Sequence, residues 1–355
     1  MTVLISTLLA AAIVQTAAPF PPVQNARVET RQAASVDAAI RTLAVPNEPV
    51  WIGWRVPMID GDRTVCSSWN DGHTSVVGEM LEGRRTGDAP VTFGATGTVR
   101  LEAGTQLVVL ARVVDGRLDR LRSVDDGCPL DGGGRSVYWL SGISAAESVR
   151  YLDSLTHQGP LNITTNRRSA ESAISALSLH RDATASAVLD RLSSRDSDRA
   201  LRRQAFSALA RTRGARGLQQ LRTLLANEPD TDMRQALTVA IAESPEPDAT
   251  AALLTLARND TTANVRADAA NRYVRRAGAA GLPDAMALLN AERDDNVKRR
   301  IVNGIAELPP SVSTPALLAL ARTHTNLVVQ KEAVSALSRS KDAAALSYLE
   351  ELVRQ

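Results

Sequence analysis

The sequence contains few aromatic residues, few histidines and few cysteines. Only 3% of its 355 residues are Phe, Trp or Tyr, and there are four His and two Cys. The formal net charge is +2, which does not demand a nucleic-acid or membrane partner. All four tryptophans precede residue 140: Trp51, Trp54, Trp69 and Trp139. Because the remainder is rich in Ala and Leu, we expect two domains of different character.

The scarce histidines and cysteines do not form the usual catalytic or metal-binding patterns. No His-Glu-x-x-His spacing accompanies the scattered histidines, so we predict no metal site and no cofactor. Cys66 and Cys128 lie in the same N-terminal part, where two cysteines of an exported protein most often form a disulfide. The alternative is a Cys66 nucleophile with His73 as its base, but no local signature supports it. The sequence therefore predicts a disulfide and no catalytic residue.

Long apolar runs are also absent after the first residues. Residues 1–18 contain an apolar stretch that ends in Thr16-Ala17-Ala18, which is typical of a secretory signal peptide. The alternative is an uncleaved anchor, although the stretch is short for a bilayer span. We expect no membrane span after signal removal, and a periplasmic or secreted location in a bacterium.

The first half of the mature chain has the composition of a β-rich domain. Residues 19–49 are interpreted as a spacer with one short helix, and residues 50–143 as the β-rich domain. The clearest element is a hairpin over residues 106–124, with Asp115-Gly116 as a type I′ turn. Ser144 to Glu147 forms a capping-box pattern, which marks the start of an all-α domain over residues 144–355.

An internal repeat with a 32-residue step organises this second domain. Stepping from Leu192 gives leucine every time: Leu224, Leu256, Leu288, Leu320 and Leu352. Stepping from Leu201 gives Met233, Val265, Val297 and Val329, all apolar. Each unit contains two apolar-faced segments of helical periodicity. Such a helical hairpin cannot bury its apolar face alone, so the fold class is a small β-rich domain followed by an all-α solenoid.

The repeat resembles the HEAT-repeat family, in particular its short bacterial members. An apolar residue followed by a base opens each second helix, as in Leu201-Arg202 and Met233-Arg234. An acid stands six residues before each base: Asp196, Glu228, Asp260 and Glu292. The resemblance implies that acids and bases at this spacing form a ladder between neighbouring units. The joint loss of both, as His324 and Gln330, supports pairing between these two positions. The family also includes bilin lyases and DNA glycosylases, but no matching constellation is present.

Three columns of the repeat are expected on the exposed face of the second helices. One reads Arg203, Gln235, Ala267, Arg299 and Lys331, and the next contains Ser207, Asn271, Asn303 and Ser335. The third alternates in sign: Arg211, Glu243, Arg275, Glu307 and Arg339. The purely structural interpretation is that these residues form a solvent-facing ladder of ion pairs. The functional one is a partner-binding groove formed by Arg203, Ser207, Asn271, Arg299, Asn303, Lys331 and Ser335, and the alternation argues against nucleic acid.

The sequence thus favours a non-catalytic exported scaffold. It would bind a protein or peptide of the cell envelope along the concave face of the solenoid. The alternative is a β domain that acts as a hydrolase or small-ligand binder and is positioned by the solenoid. In that case the four tryptophans could line a pocket.

Overall fold

The computed structural model describes residues 20–60, 66, 68–70, 75–82, 104–160, 162–195 and 197–354. Backbone contacts divide the chain into two compact units, and the principal boundary falls between Ile143 and Ser144. The first unit consists largely of strands, and the second consists of helices. The predicted order of a β domain followed by an α solenoid is therefore confirmed. The predicted signal peptide, residues 1–18, lies outside the described residues.

The first unit contains one helix and ten strands within the described residues. These are β1 (Val23–Gln24), β2 (Arg27–Gln32), α1 (Val36–Leu43), β3 (Val50–Pro57), β4 (Ser68–Asn70), β5 (Ser75–Val77), β6 (Glu79–Met80), β7 (Gln106–Val114), β8 (Arg117–Asp125), β9 (Leu130–Asp131) and β10 (Ser136–Ser141). The main sheet has the order β2-β10-β3-β7-β8. Strand β10 is parallel to both β2 and β3, whereas β3 and β7 are antiparallel. Two smaller sheets join β1-β9-β6 and β4-β5.

The central strand β3 is buried because its residues are almost all apolar. Trp51 and Trp54 are fully buried on it. Gly53 lies beneath Trp139, and a Cβ added there would come within 2.2 Å of the indole ring. Glycine is therefore required at this position by the close approach of the tryptophan, not by its backbone angles.

Local turn and cap residues explain most boundaries in this unit. Asp115 and Gly116 both have positive φ, 50° and 73°, as the predicted type I′ turn requires. Ser35 accepts a hydrogen bond from the Ala38 N–H at the start of α1, and α1 ends at Leu43, before Pro46. The disulfide between Cys66 and Cys128 is present, with 5.4 Å between the Cα atoms. Its prediction is confirmed.

Two N-terminal segments differ from the expectation. Residues 27–32 lie in the stretch interpreted as a spacer, yet they form β2 along the edge of the main sheet. The first unit thus begins before residue 50. The polar, Gly-rich composition of residues 70–90 predicts a loop, yet strands β5 and β6 fall within this stretch. Strands β5 and β6 contain only three and two residues, and β2 is exposed throughout, so they lack the longer alternating pattern by which a strand is predicted from sequence.

The second unit is a series of helices. They are α2 (Ala145–Leu155), α3 (Thr164–Leu179), α4 (Ala183–Ser193), α5 (Arg199–Thr212), α6 (Gly214–Asn227), α7 (Thr231–Glu243), α8 (Asp248–Asn259), α9 (Ala263–Ala277), α10 (Leu282–Ala291), α11 (Asp295–Ala306), α12 (Pro310–Thr323), α13 (Leu327–Ser338) and α14 (Ala343–Arg354), with a short 3₁₀ helix over Gly278–Gly281. Among the described residues, no helix is both long enough and apolar enough to cross a bilayer.

Caps at a 32-residue step start the second helix of most repeats. Asp198, Asp230, Asp294 and Asn326 each accept backbone N–H groups at the N-termini of α5, α7, α11 and α13. Ser144 caps α2 in the same way, as predicted. The 32-residue step aligns Pro315 with Pro283 and predicts both just inside the start of a first helix, but α12 begins at Pro310 and Pro315 is its sixth residue. That expectation is wrong for Pro315, because Pro310 already occupies the favourable first position.

The core of the second unit follows the column that starts at Leu201 more closely than the leucine column, in which Leu224 and Leu256 are half-buried and Leu352 is exposed. Every member of the column that starts at Leu201 is buried, with exposure of 4% or less. The second helices of neighbouring repeats contact one another closely, whereas the first helices of neighbouring repeats contact little. Gly304 supports the closest of these contacts, since a Cβ there would lie 3.3 Å from the Asn271 Cα on the facing helix.

Candidate functional site

The predicted basic column lies at the surface at three of its five positions. Arg203 on α5, Arg299 on α11 and Lys331 on α13 are exposed, Gln235 is half-buried, and Ala267 is buried. Arg299 donates a hydrogen bond to the Asn296 side chain of its own helix at 2.6 Å. Two repeats without a base at this position therefore separate Arg203 from Arg299, whereas Arg299 and Lys331 lie in adjacent repeats.

The predicted small and polar column is occupied by contacts between helices. Ser207 donates to the Glu243 carboxylate on the next second helix. Asn303 and Ser335 both accept hydrogen bonds from Arg339, at 3.4 and 2.9 Å. These residues are accessible but already engaged with their neighbours.

Asn271 does not belong to the exposed face. It is 4% exposed, and its amide donates to the Arg300 carbonyl at 3.3 Å. The expectation of an exposed residue at this position is wrong. The physical reason is Gly304, which lets α9 and α11 approach so closely that the Asn271 side chain is enclosed.

The alternating charges pair two by two along the stack. Arg211 contacts Glu243 at 3.1 Å and Arg275 contacts Glu307 at 2.8 Å, each across neighbouring second helices. Their side chains are largely exposed, so each pair contributes little to stability. Arg339 contacts no acid among the described residues and binds the neutral acceptors named above.

A groove of about 530 Å³ opens beside Arg339. We call it the C-terminal groove. Residues of α11 to α13 and of the loop after α13 line it: Arg300, Asn303, Ala306, Glu307, Leu308, Pro310, Ser313, Thr314, Leu317, Ala336, Arg339, Ser340 and Lys341. The lining contains the basic residues Arg300, Arg339 and Lys341 and the buried polar residues Ser313 and Thr314.

The acid–base ladder is present, but its pairs differ from the expected ones. Arg202 binds Glu228, Arg234 binds Asp260, and Arg266 binds Glu292 at 2.8 Å. Each base thus pairs with the acid of the following repeat, 26 residues later. The prediction that acids and bases form a ladder between neighbouring units is confirmed. The side chains of these pairs are largely buried.

The base and the acid six residues before it contact through the backbone. Arg234 donates to the Glu228 carbonyl at 3.0 Å, and Gln330 donates to the His324 carbonyl at 2.8 Å. The joint loss at His324 and Gln330 is therefore not the loss of one side-chain pair, and that inference is wrong. Gln330 keeps the contact with the carbonyl. By the 26-residue spacing of the other pairs, His324 stands where an acid would pair with Lys298. Asp196 lies outside the described residues.

The buried acids of the ladder are held ionised by their partners. Burial alone would raise the pKa of Glu228, but the hydrogen bond from Arg202 and the Asp230 N–H lower it below its ordinary value. Glu292 shows the same balance, with Arg266 lowering its pKa against the effect of burial. At neutral pH these acids are therefore charged, and each forms an ion pair that joins two neighbouring repeats.

The first unit contains a separate cleft of about 690 Å³. Phe20 stacks on Trp139 with 4.9 Å between ring centroids, and the Arg55 guanidinium lies 4.9 Å above the Phe20 ring. Trp51 and Trp54 do not line this cleft, because both are buried in the core, and the Trp69 side chain lies outside the described residues. The four tryptophans that the sequence suggests as the lining of a pocket are thus not brought together in one.

The described residues contain no cluster suited to hold a metal ion. No group of three or more His, Cys, Asp or Glu converges within the part of the chain that the structure describes. Cys66 is engaged in the disulfide, so it offers no thiol for the alternative nucleophilic role. His73 lies outside the described residues.

Comparison with known proteins identifies the second unit. A family model of HEAT repeats matches residues 185–274 and 282–355. Among solved structures, the chain is similar to Kap121p, with 15% identity, a TM-score of 0.35, and coverage of 58% of this chain and 27% of that one. It is also similar to human deoxyhypusine hydroxylase in complex with glycerol, with 16% identity, a TM-score of 0.23, and coverage of 58% and 91%. The chain thus spans about a quarter of Kap121p. No curated protein matches the chain.

The second unit is therefore a HEAT-like solenoid, as the sequence predicted. HEAT repeats point to a protein-interaction scaffold as its general role. The first unit has no recognised family.

Proposed function

We propose that this protein is an exported, non-catalytic scaffold that binds a protein or peptide along the second-helix face of its solenoid. We define that face by Arg203, Ser207, Arg299, Asn303, Lys331 and Ser335. The observation that carries the proposal is that exposed bases and small polar residues recur on one face of a HEAT-repeat stack.

The packing of the helices supports the second-helix face as the concave one. In a curved stack, helices on the inner side lie closer together than helices on the outer side. The second helices contact their neighbours closely, and the first helices do so much less. An extended concave surface is the feature that solenoids use for binding.

The charge distribution favours a protein partner over nucleic acid. Arg211 and Arg275 are neutralised by Glu243 and Glu307, so the surface has no continuous basic stripe. A protein surface with mixed charges can match such an alternation, whereas a phosphate backbone would meet an acid at every second repeat.

Export is supported by the sequence of residues 1–18 and by the disulfide. Disulfides persist in oxidising compartments such as the periplasm, and Cys66 and Cys128 are paired. We therefore propose a partner in the bacterial cell envelope.

The test is a crosslinking capture from the native envelope with the full-length protein. The variant carries Arg203→Glu, Arg299→Glu and Lys331→Glu, which reverse the three exposed bases of the face. A matched control reverses three exposed bases on first helices: Arg216→Glu, Arg222→Glu and Arg258→Glu. We expect the first variant to lose its captured protein and the control to retain it, with circular dichroism spectra unchanged in both. Equal capture by the two variants would refute the role of this face.

A second candidate function is small-ligand binding by the first unit. The 690 Å³ cleft has the size of a ligand site, and Arg55 supplies a cation beside the apolar surface of Phe20 and Trp139. Native mass spectrometry of the exported protein would detect a retained ligand, and an Arg55→Ala variant should release an anionic one.

A further inference from the structure

The exposed bases of the alternating column, Arg211, Arg275 and Arg339, differ in whether an acid neutralises them. Arg211 and Arg275 each contact an acid on the next second helix, at 3.1 and 2.8 Å. Arg339 occupies the same column but binds only Ser335 and Asn303. Its positive charge is therefore oriented by neutral groups and is not cancelled by an acid among the described residues.

The remaining charges of the C-terminal groove leave it electropositive. Glu307 is engaged with Arg275, and Arg300 with Asp268 at 3.0 Å. Lys341 lines the groove and forms no ion pair with a described residue. Arg339 and Lys341 thus supply two uncompensated positive charges at one 530 Å³ groove.

The groove also provides the polar and apolar surface that a peptide needs. Asn303 contributes a half-buried amide and Pro310 an exposed apolar ring, whereas Ser313, Thr314 and Leu317 line the groove with little exposed area. Guanidinium and ammonium groups bind carboxylates through charge-assisted hydrogen bonds. Glu307 also lines the groove and is paired with Arg275, so the uncompensated positive charge is confined to Arg339 and Lys341 and fits a short acidic segment better than a long nucleic acid.

We propose that the C-terminal groove binds an acidic segment of a partner protein, with Arg339 and Lys341 pairing with its carboxylates. This inference rests on the proposed scaffold function and specifies the chemistry of the partner. It places the strongest contact at the last two repeats of the stack.

The test uses a fluorescein-labelled peptide with three glutamates and two leucines, capped at both ends, and a matched peptide with glutamine in place of glutamate. Fluorescence anisotropy at low salt measures their binding to the full-length protein. We expect the glutamate peptide to bind at least about tenfold more tightly than the glutamine peptide, as two charge-assisted contacts would give. An Arg339→Gln/Lys341→Gln variant should lose this preference.

The matched control removes two bases that are already paired. Arg211→Gln/Arg275→Gln changes the net charge equally, and we expect it to retain the preference for glutamate. Equal loss in both variants, or no preference in the wild type, would overturn the assignment, as would tighter binding of a twelve-residue oligothymidylate. If Arg339→Gln/Lys341→Gln binds the peptide normally while the reversal of Arg203, Arg299 and Lys331 abolishes envelope capture, the groove assignment fails and the scaffold function stands.

Discussion

His180 should make the solenoid unstable in mild acid. This residue follows α3, is fully buried, and neither of its ring nitrogens has a hydrogen-bond partner in the described part of the chain. Burial lowers its pKa from 6.5 to about 4; Asp182 opposes that shift and the Arg213 cation adds to it. The folded protein therefore keeps the imidazole neutral at pH values where the unfolded chain protonates it.

The sign and size of the effect follow from this difference in pKa. Between pH 6.5 and about pH 4 the unfolded state binds more protons, so acidification favours unfolding. The contribution of His180 is fully present above pH 6.5 and decreases as the pH falls. At pH 5 the loss is about 2 kcal/mol, and below pH 4 it approaches about 3 kcal/mol, at roughly 1.4 kcal/mol for each unit of pKa.

The measurement is urea unfolding of the full chain at pH 7.5 and pH 5, followed by circular dichroism at 222 nm. The second unit contains no tryptophan, so tryptophan fluorescence reports the first unit separately. A His180→Leu variant keeps a similar volume and removes the titrating group without breaking a side-chain hydrogen bond. We expect the pH-dependent loss to shrink by about 2 kcal/mol in this variant. Equal losses in the wild type and in the variant would refute the argument.

Three further changes have outcomes that the structure determines. Arg234→Ala should destabilise the solenoid by about 3 kcal/mol in urea unfolding, because it leaves the buried Asp260 carboxylate without its cation, and the same change at the exposed Arg211 should cost under about 1 kcal/mol. Gly53→Ala should destabilise the first unit by about 3 kcal/mol, measured by tryptophan fluorescence, because the added methyl group collides with an indole ring; an unchanged midpoint would contradict the packing. Reduction of the disulfide, which joins residues 62 apart, should destabilise the same unit by roughly 4 kcal/mol and leave the solenoid's melting curve unchanged.

The sequence predicts the solenoid well because the same apolar columns recur at each step. Leu201 and its counterparts are buried, and the cap at Ser144 starts α2 as expected. The strand β2 could not be predicted in this way. All six of its residues are exposed, so it is formed by backbone pairing with β10 and not by an apolar face.

The pairing of the ladder was ambiguous for a geometric reason. In a 32-residue repeat, an acid six residues before one base is also 26 residues after the base of the previous repeat. Sequence spacing alone cannot choose between these two partners. The structure chooses the second, because the long arginine side chain reaches the next repeat while its own loop offers only a carbonyl.

The prediction of an exposed face along the second helices is correct for most positions but wrong for Asn271, which is buried. A column average treats every repeat alike, whereas contact between two particular helices depends on both partners. Gly304 stands where α5, α7 and α13 have Ala208, Ala240 and Ala336, and where α9 has Arg272. Removal of one methyl group lets α9 and α11 approach, and a polar residue that would face solvent elsewhere becomes buried.

The two sets of charges on the solenoid have separate consequences for binding. Buried ladder pairs such as Arg202 with Glu228 join neighbouring repeats, so changing one partner alters the stack itself. The exposed column contributes little to stability, and its residues can change without loss of the fold. At the last joint His324 stands 26 residues after Lys298, where the earlier repeats have an acid, and Lys298 contacts Asp295 of its own helix at 3.6 Å. Among the described residues, the end of the stack thus has no buried ion pair between repeats, and it also contains Arg339, which pairs with no acid. A partner that supplies a carboxylate to Arg339 would give this repeat an ion pair of the kind that Arg211 and Arg275 form with acids of the protein itself.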